Sequence, residues 1–452
     1  MFPLGDRFLD TTGSLMGRFR AHAGKRGESV FKHDRARLPT IHVMDAPVSA
    51  LSPFRHSIFR RVWLASLVSN FGSLIQSVGA AWLMLEMTHQ ADMVALVQTS
   101  VALPVVLLAL VGGAIADNLD RRRILLAAQG FMLLVSIALA VCAWLQALSP
   151  WLLLAFTFLI GCGSSFNAPA WQASVQDMVP REQVPAAVAL NSTSFNLARS
   201  AGPAIGGAIV ATAGAAAAFA ANAVSYLGLI FVLARWRQVP EPRLLPRERL
   251  ASAMAAGVRY VLLSPSIRTV LLRSIVFGVG AGAVLALLPL VAARLVNGGA
   301  FVYGLLLGAF GIGAVLAALG SARLRERLST EVTVRWASAA SALALAVAAL
   351  SDAFALTSIA MLLAGAGWVL ALSTFNVTVQ LSAPRWVVAR TLALYQMAAF
   401  GGLASGSWLW GAVAEASGVQ LALLLAAASL LASAAIGWAL PLEQSMPRNL
   451  DP

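Results

Sequence analysis

One arginine stands in the middle of an apolar run. Arg199 falls near the centre of the stretch at about 186–211, with Ser192 and Asn196 seven and three residues before it. On a helix these three share a face. A guanidinium at that depth in lipid costs from about 2.5 to well over 10 kcal/mol unless it meets water or a partner. The chemistry on offer is charge and hydrogen bonding at low dielectric, not bond making. Other apolar runs carry comparable polar positions: Ser66, Asn70, Ser73 and Ser77 in the first, Asn167 in the fourth, Ser373, Asn376 and Gln380 in the tenth, and Tyr395-Gln396 at the start of the eleventh. Interhelical hydrogen bonds, worth about 0.6 kcal/mol on average, account for the serines. For Arg199 its cost favours a polar cavity or a gate, and Asn70, Asn167, Asn196, Asn376, Tyr395 and Gln396 are the expected companions in such a cavity.

What is missing narrows the chemistry further. No Asp or Glu falls in the middle of an apolar run. Proton coupling through a carboxylate whose pKa burial has raised therefore has Glu86, at the end of the first run, as its best candidate. The five histidines (His22, His33, His42, His56 and His89) all lie outside the runs, and Cys142 and Cys162 read as small packing residues. No metal spacing exists and no nucleophile stands with a base, so neither an enzyme nor a bound cofactor is expected.

These side chains need helices to hold them. The chain is 452 residues long, 59% hydrophobic and 11% charged, with a mean hydropathy of +0.79, far from a soluble domain. Twelve apolar runs of the length that crosses a bilayer, about 20 residues each, follow one another from Val62 to Leu440. Backbone polar groups in lipid must be paired within the segment, so the runs are expected to be helices. The net charge of +13 is confined to alternate loops: Arg121, Arg122 and Arg123, Arg181, the arginines of the central loop, Arg323, Arg325 and Arg327, and Arg385 and Arg390. The opposite loops carry Glu86, Asp92 and Glu415 with Arg294 as their one basic residue. This is the positive-inside pattern, which places both termini in the cytoplasm and accounts for the charge without a nucleic-acid partner.

The expected organisation is a basic, disordered tail over 1–56, a six-helix half over 57–235, a linker over 236–267, a second six-helix half over 268–441 and a short tail over 442–452. Met44 is an alternative start. Leu250, Met254, Val258 and Val261 recur at helical spacing in the linker, which reads as an amphipathic helix on the cytoplasmic surface.

The loop after the second run reads Gly112-Gly113-Ala114-Ile115-Ala116-Asp117-Asn118-Leu119-Asp120-Arg121-Arg122-Arg123. Gly113 suits close helix approach, Asp117 suits a neighbouring helix N-terminus, and the arginines hold the turn on the cytoplasmic side. The segment resembles the signature loop between helices 2 and 3 of the major facilitator superfamily, with Asn118 and Asp120 in place of the usual Arg and Gly. Its Asp-Arg-Arg ending, Ser165-Phe166-Asn167-Ala168-Pro169-Ala170-Trp171, Arg181-Glu182-Gln183-Val184-Pro185 and Ala256-Gly257-Val258-Arg259-Tyr260 resemble one branch, the transmembrane secretion effectors and enterobactin-type exporters. Gly202-Pro203 with Gly206-Gly207 resembles the end of the superfamily's antiporter motif, whose upstream glycines are replaced by Ala189 and Ala198. The resemblance implies a twelve-helix carrier of the bacterial inner membrane. It implies a conformational role for Gly113, Asp117, Arg121, Arg122, Gly202, Pro203 and Gly206.

The two halves also repeat one another. Gly161 and Gly163 recur as Gly365 and Gly367, Val175-Gln176 as Val379-Gln380, Pro180-Arg181 as Pro384-Arg385, and Gly202 and Gly207 as Gly406 and Gly411, all at one offset of 204. A membrane unit built twice places its site between the copies. The reading is an all-helical, monomeric secondary transporter that exports a small molecule of the siderophore or amphiphilic drug class, with lipid as its other partner. The alternatives are a lipid or lysolipid flippase, or an importer, of the same fold.

Overall fold

The structure, a computed structural model, describes residues 49–236, 250–384 and 387–442, without the side chains of 114, 116–118 and 250–253. The expected tail up to residue 48 with Met44, the linker between 237 and 249, Arg385 and the side chain of Asp117 lie outside the described residues.

All regular structure among the described residues is helical. The helices are α1 (Ser57–Thr88), α2 (Ala91–Asn118), α3 (Arg121–Trp144), α4 (Pro150–Ser174), α5 (Val184–Arg235), α6 (Leu250–Leu263), α7 (Pro265–Leu290), α8 (Ala300–Arg327), α9 (Thr330–Leu350), α10 (Phe354–Ser382), α11 (Val388–Ser417) and α12 (Val419–Ala439). Their starts follow local chemistry. Asp120, Ser149 and Ser329 cap α3, α4 and α9 through their side chains, and Pro150 and Pro265 sit in first turns, where a missing N–H costs nothing. Gly214, at φ 79°, breaks α5 into two arms, 184–213 and 215–235. Nine helical stretches among the described residues are long and apolar enough to cross a membrane; α5 is one of them as a whole, and α1 and α11 are not among them.

The outer surface is what lipid requires. Leu64 and Val68 of α1, Phe131, Leu134 and Ile137 of α3, and Leu316 and Leu319 of α8 are exposed. The basic loops gather at one end of the helices, called here the basic end, opposite the far end. Trp144 and Trp151 are exposed at the far end, and Trp336 and Trp438 at the basic end, the girdle arrangement of an aromatic belt at each membrane face.

The interior is two bundles, α1–α5 and α7–α12, each packed by the same contacts. Gly161 lets α4 meet Pro104 of α2, and Gly365, 204 residues on, lets α10 meet the backbone of Phe310 in α8. Gly163 and Gly367 likewise pack α4 on α3 and α10 on α9, and Gly202 and Gly406 pack α5 on α1 and α11 on α7. The sequence repeat is thus a repeat of helix seams. Between bundles, α2 packs on α11 and α5 on α8.

The joint between the bundles is one-sided. One apolar core draws on both bundles at the far end, from Ile75, Val78, Met84 and Val94 to Val284, Leu288, Tyr303 and Trp410, and within the second bundle alone it continues to Val270, Val334 and Val379 toward the basic end. At the basic end the cores are separate. Phe59, Val62, Leu125, Met178 and Leu233 belong to the first bundle, and Val261, Ile267, Ala383 and Val387 to the second. The bundles share a core at the far end, and among the described residues no buried core joins them at the basic end.

Candidate functional site

The far end closes on one turn. Residues 88–91 join the end of α1 to the start of α2, and two side chains of the second bundle grip it. Arg294, in the π-helical turn after α7, donates to the carbonyl oxygen of His89, which caps α1 in the left-handed conformation. Glu415, near the end of α11, accepts from the backbone N–H of Ala91 at 2.6 Å, the first residue of α2. A helix presents partial negative charge at its last carbonyls and partial positive charge at its first N–H groups. The arginine meets the former and the carboxylate meets the latter. Trp82 stacks on Tyr303 beside this latch with ring centroids 6.3 Å apart, and its indole N–H donates to Glu86 at 2.6 Å.

The arginine bond is exposed and the carboxylate bond part-buried, so the two together are worth only a few kcal/mol. Removing both, as Arg294→Ala with Glu415→Ala, is expected to shift the protein toward a state open at the far end by roughly tenfold. The rate at which a maleimide confined to that side labels Ala102→Cys, buried between α2 and α11, reports the shift. An unchanged rate would show that the latch does not hold the closed state.

Below the latch the α5–α8 seam runs with backbone nearly against backbone. A Cβ added at Gly207 would stand 2.6 Å from the carbonyl oxygen of Ala300, and bare Gly304 and Gly311 face the carbonyl oxygens of Pro203 and Arg199. Pro203 explains the last contact. Having no N–H, it leaves the carbonyl four residues back, that of Arg199, without its helical donor, and Gly311 closes on that oxygen. The Arg199 guanidinium crosses the seam to lie over the ring of Phe310, 5.5 Å from its centroid. Phe310 in turn contacts Trp368, and Trp368 contacts Phe277, with centroids 6.4 and 6.3 Å apart.

The basic end holds each bundle together. Arg121 pairs with Asp177 at 3.0 Å and donates to Ala173 O, tying α3 to the end of α4. Arg122 donates to the carbonyls of Leu233 and Ala234, tying the start of α3 to the end of α5. The second bundle does the same work with an ion pair. Arg273 of α7, with no exposed surface, meets Glu331 of α9 at 3.0 Å and Leu440 O after α12 at 2.9 Å. Glu331 also accepts from Arg335 and from the N–H of Leu442. Sequence reading missed Arg273, although a charge inside an apolar run was the signal to follow.

The candidate residues divide into groups that the fold keeps apart. Asn70 of α1 meets Ser194 of α5 at 3.5 Å, on the same arm that carries Asn196 and Arg199. Asn167 accepts from Gln129 inside the first bundle, and Tyr395 is buried and donates to Leu372 O inside the second. Asn376 pairs with Gln380 along α10 at 2.5 Å, and Gln396 is exposed on α11. Glu86 is exposed at the far end, away from all of these. Gly202 and Gly206 lie against Leu74 and Ile75 of α1. The close approach expected at Gly113 is made one residue earlier: a Cβ at Gly112 would stand 2.9 Å from Ser165 O, whereas one at Gly113 meets nothing within 4 Å. A single residue turns the helix by a quarter circle, enough to exchange the packed face for the open one.

The profile of the transmembrane secretion effector family matches residues 48–452. The enterobactin exporter of Citrobacter koseri is 29% identical over 324 residues, 71% of this chain and 76% of that protein. The enterobactin exporter of Escherichia coli O81 is 28% identical over 390 residues, 83% of this chain and 91% of that one. The staphyloferrin A transporter of Staphylococcus aureus is 26% identical over 56% of this chain, and the chain spans 64% of its length, a little under two thirds. Among solved structures, an inward-facing, unoccupied bacterial homologue of the human lysosomal transporter Spinster matches with a TM-score of 0.69 at 14% identity, over 86% of this chain and 97% of that one. A D-xylose–proton symporter matches at 0.70 and 15%, over 88% and 100%. At such identities the structural likeness is one of fold alone. With the profile spanning the helical region and known transporters sharing its fold, the chain belongs to the transmembrane secretion effector family of the major facilitator superfamily and is a multi-pass membrane transporter.

Proposed function

We propose that the protein is a secondary active exporter that carries a small molecule of the siderophore or amphiphilic drug class out across the bacterial inner membrane by alternating access. The observation that carries this reading is the one-sided joint: a core common to both bundles at the far end and separate cores at the basic end. On this reading α5 crosses the bilayer twice and α1 and α11 cross once each, giving twelve spans with both termini cytoplasmic. The moving units are 57–235 and 268–441, joined by the linker 236–267 with α6 on the membrane surface. The charge distribution and the two tryptophan girdles support the basic end as the cytoplasmic one, which makes the described conformation inward-open.

Gly113, Asp117, Arg121 and Arg122 act in this scheme at the cytoplasmic gate, and Gly202, Pro203 and Gly206 at the α1–α5–α8 contact. Asn70, Asn196 and Arg199 face the pathway. Asn167 and Tyr395 serve instead as bonds within a bundle. The protein works as a monomer. A proton-coupled cycle has no carboxylate at mid-depth to use, which leaves Glu86 as the group to test.

The test is transport. Purified protein in proteoliposomes, given a panel of siderophores and amphiphilic drugs with and without an imposed pH gradient, is expected to move at least one compound. Glu86→Gln should remove any dependence on the gradient if Glu86 couples protons. Absence of flux for every compound under both conditions would overturn the exporter reading.

A further inference from the structure

Arg199 differs from the arginines that tie each bundle together. Arg273 and Arg335 share Glu331, Arg121 has Asp177, and Arg122 has two carbonyl oxygens. Among the described residues Arg199 meets neither a carboxylate nor a hydrogen-bond acceptor, and its guanidinium lies over the face of Phe310. Its depth removes the remedy open to long side chains near a membrane surface. It lies fifteen residues along α5 from Val184, about 22 Å at the rise of an α-helix, so it reaches no membrane surface by extension and faces only the pathway between the bundles. Among the described side chains no acid is placed to neutralise it. Glu86, Asp92, Asp352 and Glu415 are at the far end; Asp117, Asp120, Asp177, Glu182, Glu326 and Glu331 are at the basic end; the rest belong to the termini and the linker. A cation–π contact on a phenylalanine offsets about 1–2 kcal/mol, well short of the cost of an unpaired guanidinium at this depth.

The surroundings of the charge are flat and apolar. Phe310, Trp368, Phe277 and Phe375 run from the guanidinium into the second bundle with successive centroids 6.3–6.4 Å apart. Phe400 and Trp368 pack on Ala102, Leu403 and Ala404, where α2 meets α11. A lone cation beside an aromatic wall, at the level where the two bundles meet, is complementary to one chemistry and repels its opposite.

We propose that Arg199 is the substrate's charge-recognition residue, and that the compound carried bears an oxyanion, such as a carboxylate or ionised phenol, on a flat apolar ring system. This rests on the exporter reading for the word substrate, and on Arg199 alone for the charge. The anion supplies the counter-ion that the described residues do not, and its ring lies toward Trp368, the partly exposed member of the aromatic row. Cationic amphiphiles are excluded by the same charge.

The probes are 2-naphthoate and its neutral amide, with binding measured by quenching of tryptophan fluorescence in nanodiscs of zwitterionic lipid. The acid is expected to bind the wild type at least about tenfold more tightly than the amide, the range of a charge-assisted hydrogen bond. Arg199→Gln should remove that preference and leave the amide unchanged, and Arg199→Lys should retain most of it. Without ligand, Arg199→Gln should unfold at the same temperature as wild type or higher, since it removes an uncompensated charge. Equal affinity for acid and amide in the wild type, or a preference that survives Arg199→Gln, overturns the proposal. Loss of 2-naphthoate binding on adding phosphatidylglycerol to the discs would assign the site to a lipid headgroup and overturn a soluble substrate.

The two readings fail separately. If transport of panel compounds continues unaltered in Arg199→Gln, the exporter stands and the anion site falls. If the acid binds with the expected charge dependence while no compound is moved, the site stands and the exporter falls.

Discussion

Glu331→Ala is expected to destabilise the protein by roughly 3–5 kcal/mol, the cost of leaving a buried charge without its partner. Arg273 has no exposed surface, and its Nε already lacks a hydrogen bond. Its terminal nitrogens rely on Glu331 and on Leu440 O. Removing the carboxylate also frees Arg335 and the N–H of Leu442, so the junction of α7, α9 and α12 loses its common acceptor. Thermal unfolding in detergent should show the loss as a large fall in midpoint. The paired change Arg273→Met with Glu331→Leu should recover most of it, because a buried ion pair replaced as a unit by apolar side chains is often neutral or stabilising. A Glu331→Ala protein as stable as wild type, or a double variant no better than the single, would show that the pair does not fasten the bundle.

Gly311→Leu is expected to abolish transport while leaving each bundle folded. Over-packing an adaptable core costs about 1–3 kcal/mol. Here the obstacle is the carbonyl oxygen of Arg199, fixed in the backbone beside Pro203, so no rotamer change relieves it. The strain falls on the joint between bundles and not on either interior. A chemical ruler sits beside it: an added Cβ at Gly308 stands 3.9 Å from that of Ala204, within the separation a disulfide spans, at the cost of a 3.1 Å approach to Ser200 O. Ala204→Cys with Gly308→Cys should therefore cross-link readily on oxidation, and Gly311→Leu in that background should reduce the yield several-fold. Full cross-linking together with normal flux would mean that the seam tolerates the side chain.

Much of the architecture can be read without coordinates because lipid imposes it. Apolar runs must be helices, the arginines sort the loops, and Leu250, Met254, Val258 and Val261 mark a helix that does form at Leu250–Leu263. The polar residues were harder to place for a definite reason. A sequence gives the depth of Asn167, Tyr395 or Gly113 along its helix but not the face that meets a neighbour, and one position separates packing from open space. Arg273 was obscure because its partner is 58 residues away, at the first turn of a helix where a glutamate needs no explanation. The latch was beyond reach altogether: Arg294 and Glu415 are visible, but their partners are backbone groups of His89 and Ala91. The gripping side chains at the far end, Arg294 and Glu415, and the buried ion pair of Arg273 with Glu331 all belong to the C-terminal half.

Gly214 and Gly418 are the two glycines with positive φ among the described residues, at 79° and 90°, and they stand 204 apart. Each is the whole connection between one long helix and the next. With no loop to spare, neither member of such a pair can settle in the bilayer while the other waits in water. On the twelve-span reading proposed above, each pair is expected to enter the membrane as a hairpin, and a side chain at either glycine would strain the turn between its helices. A substitution there is therefore expected to act on biogenesis, reducing how much protein reaches the membrane before it alters what that protein carries.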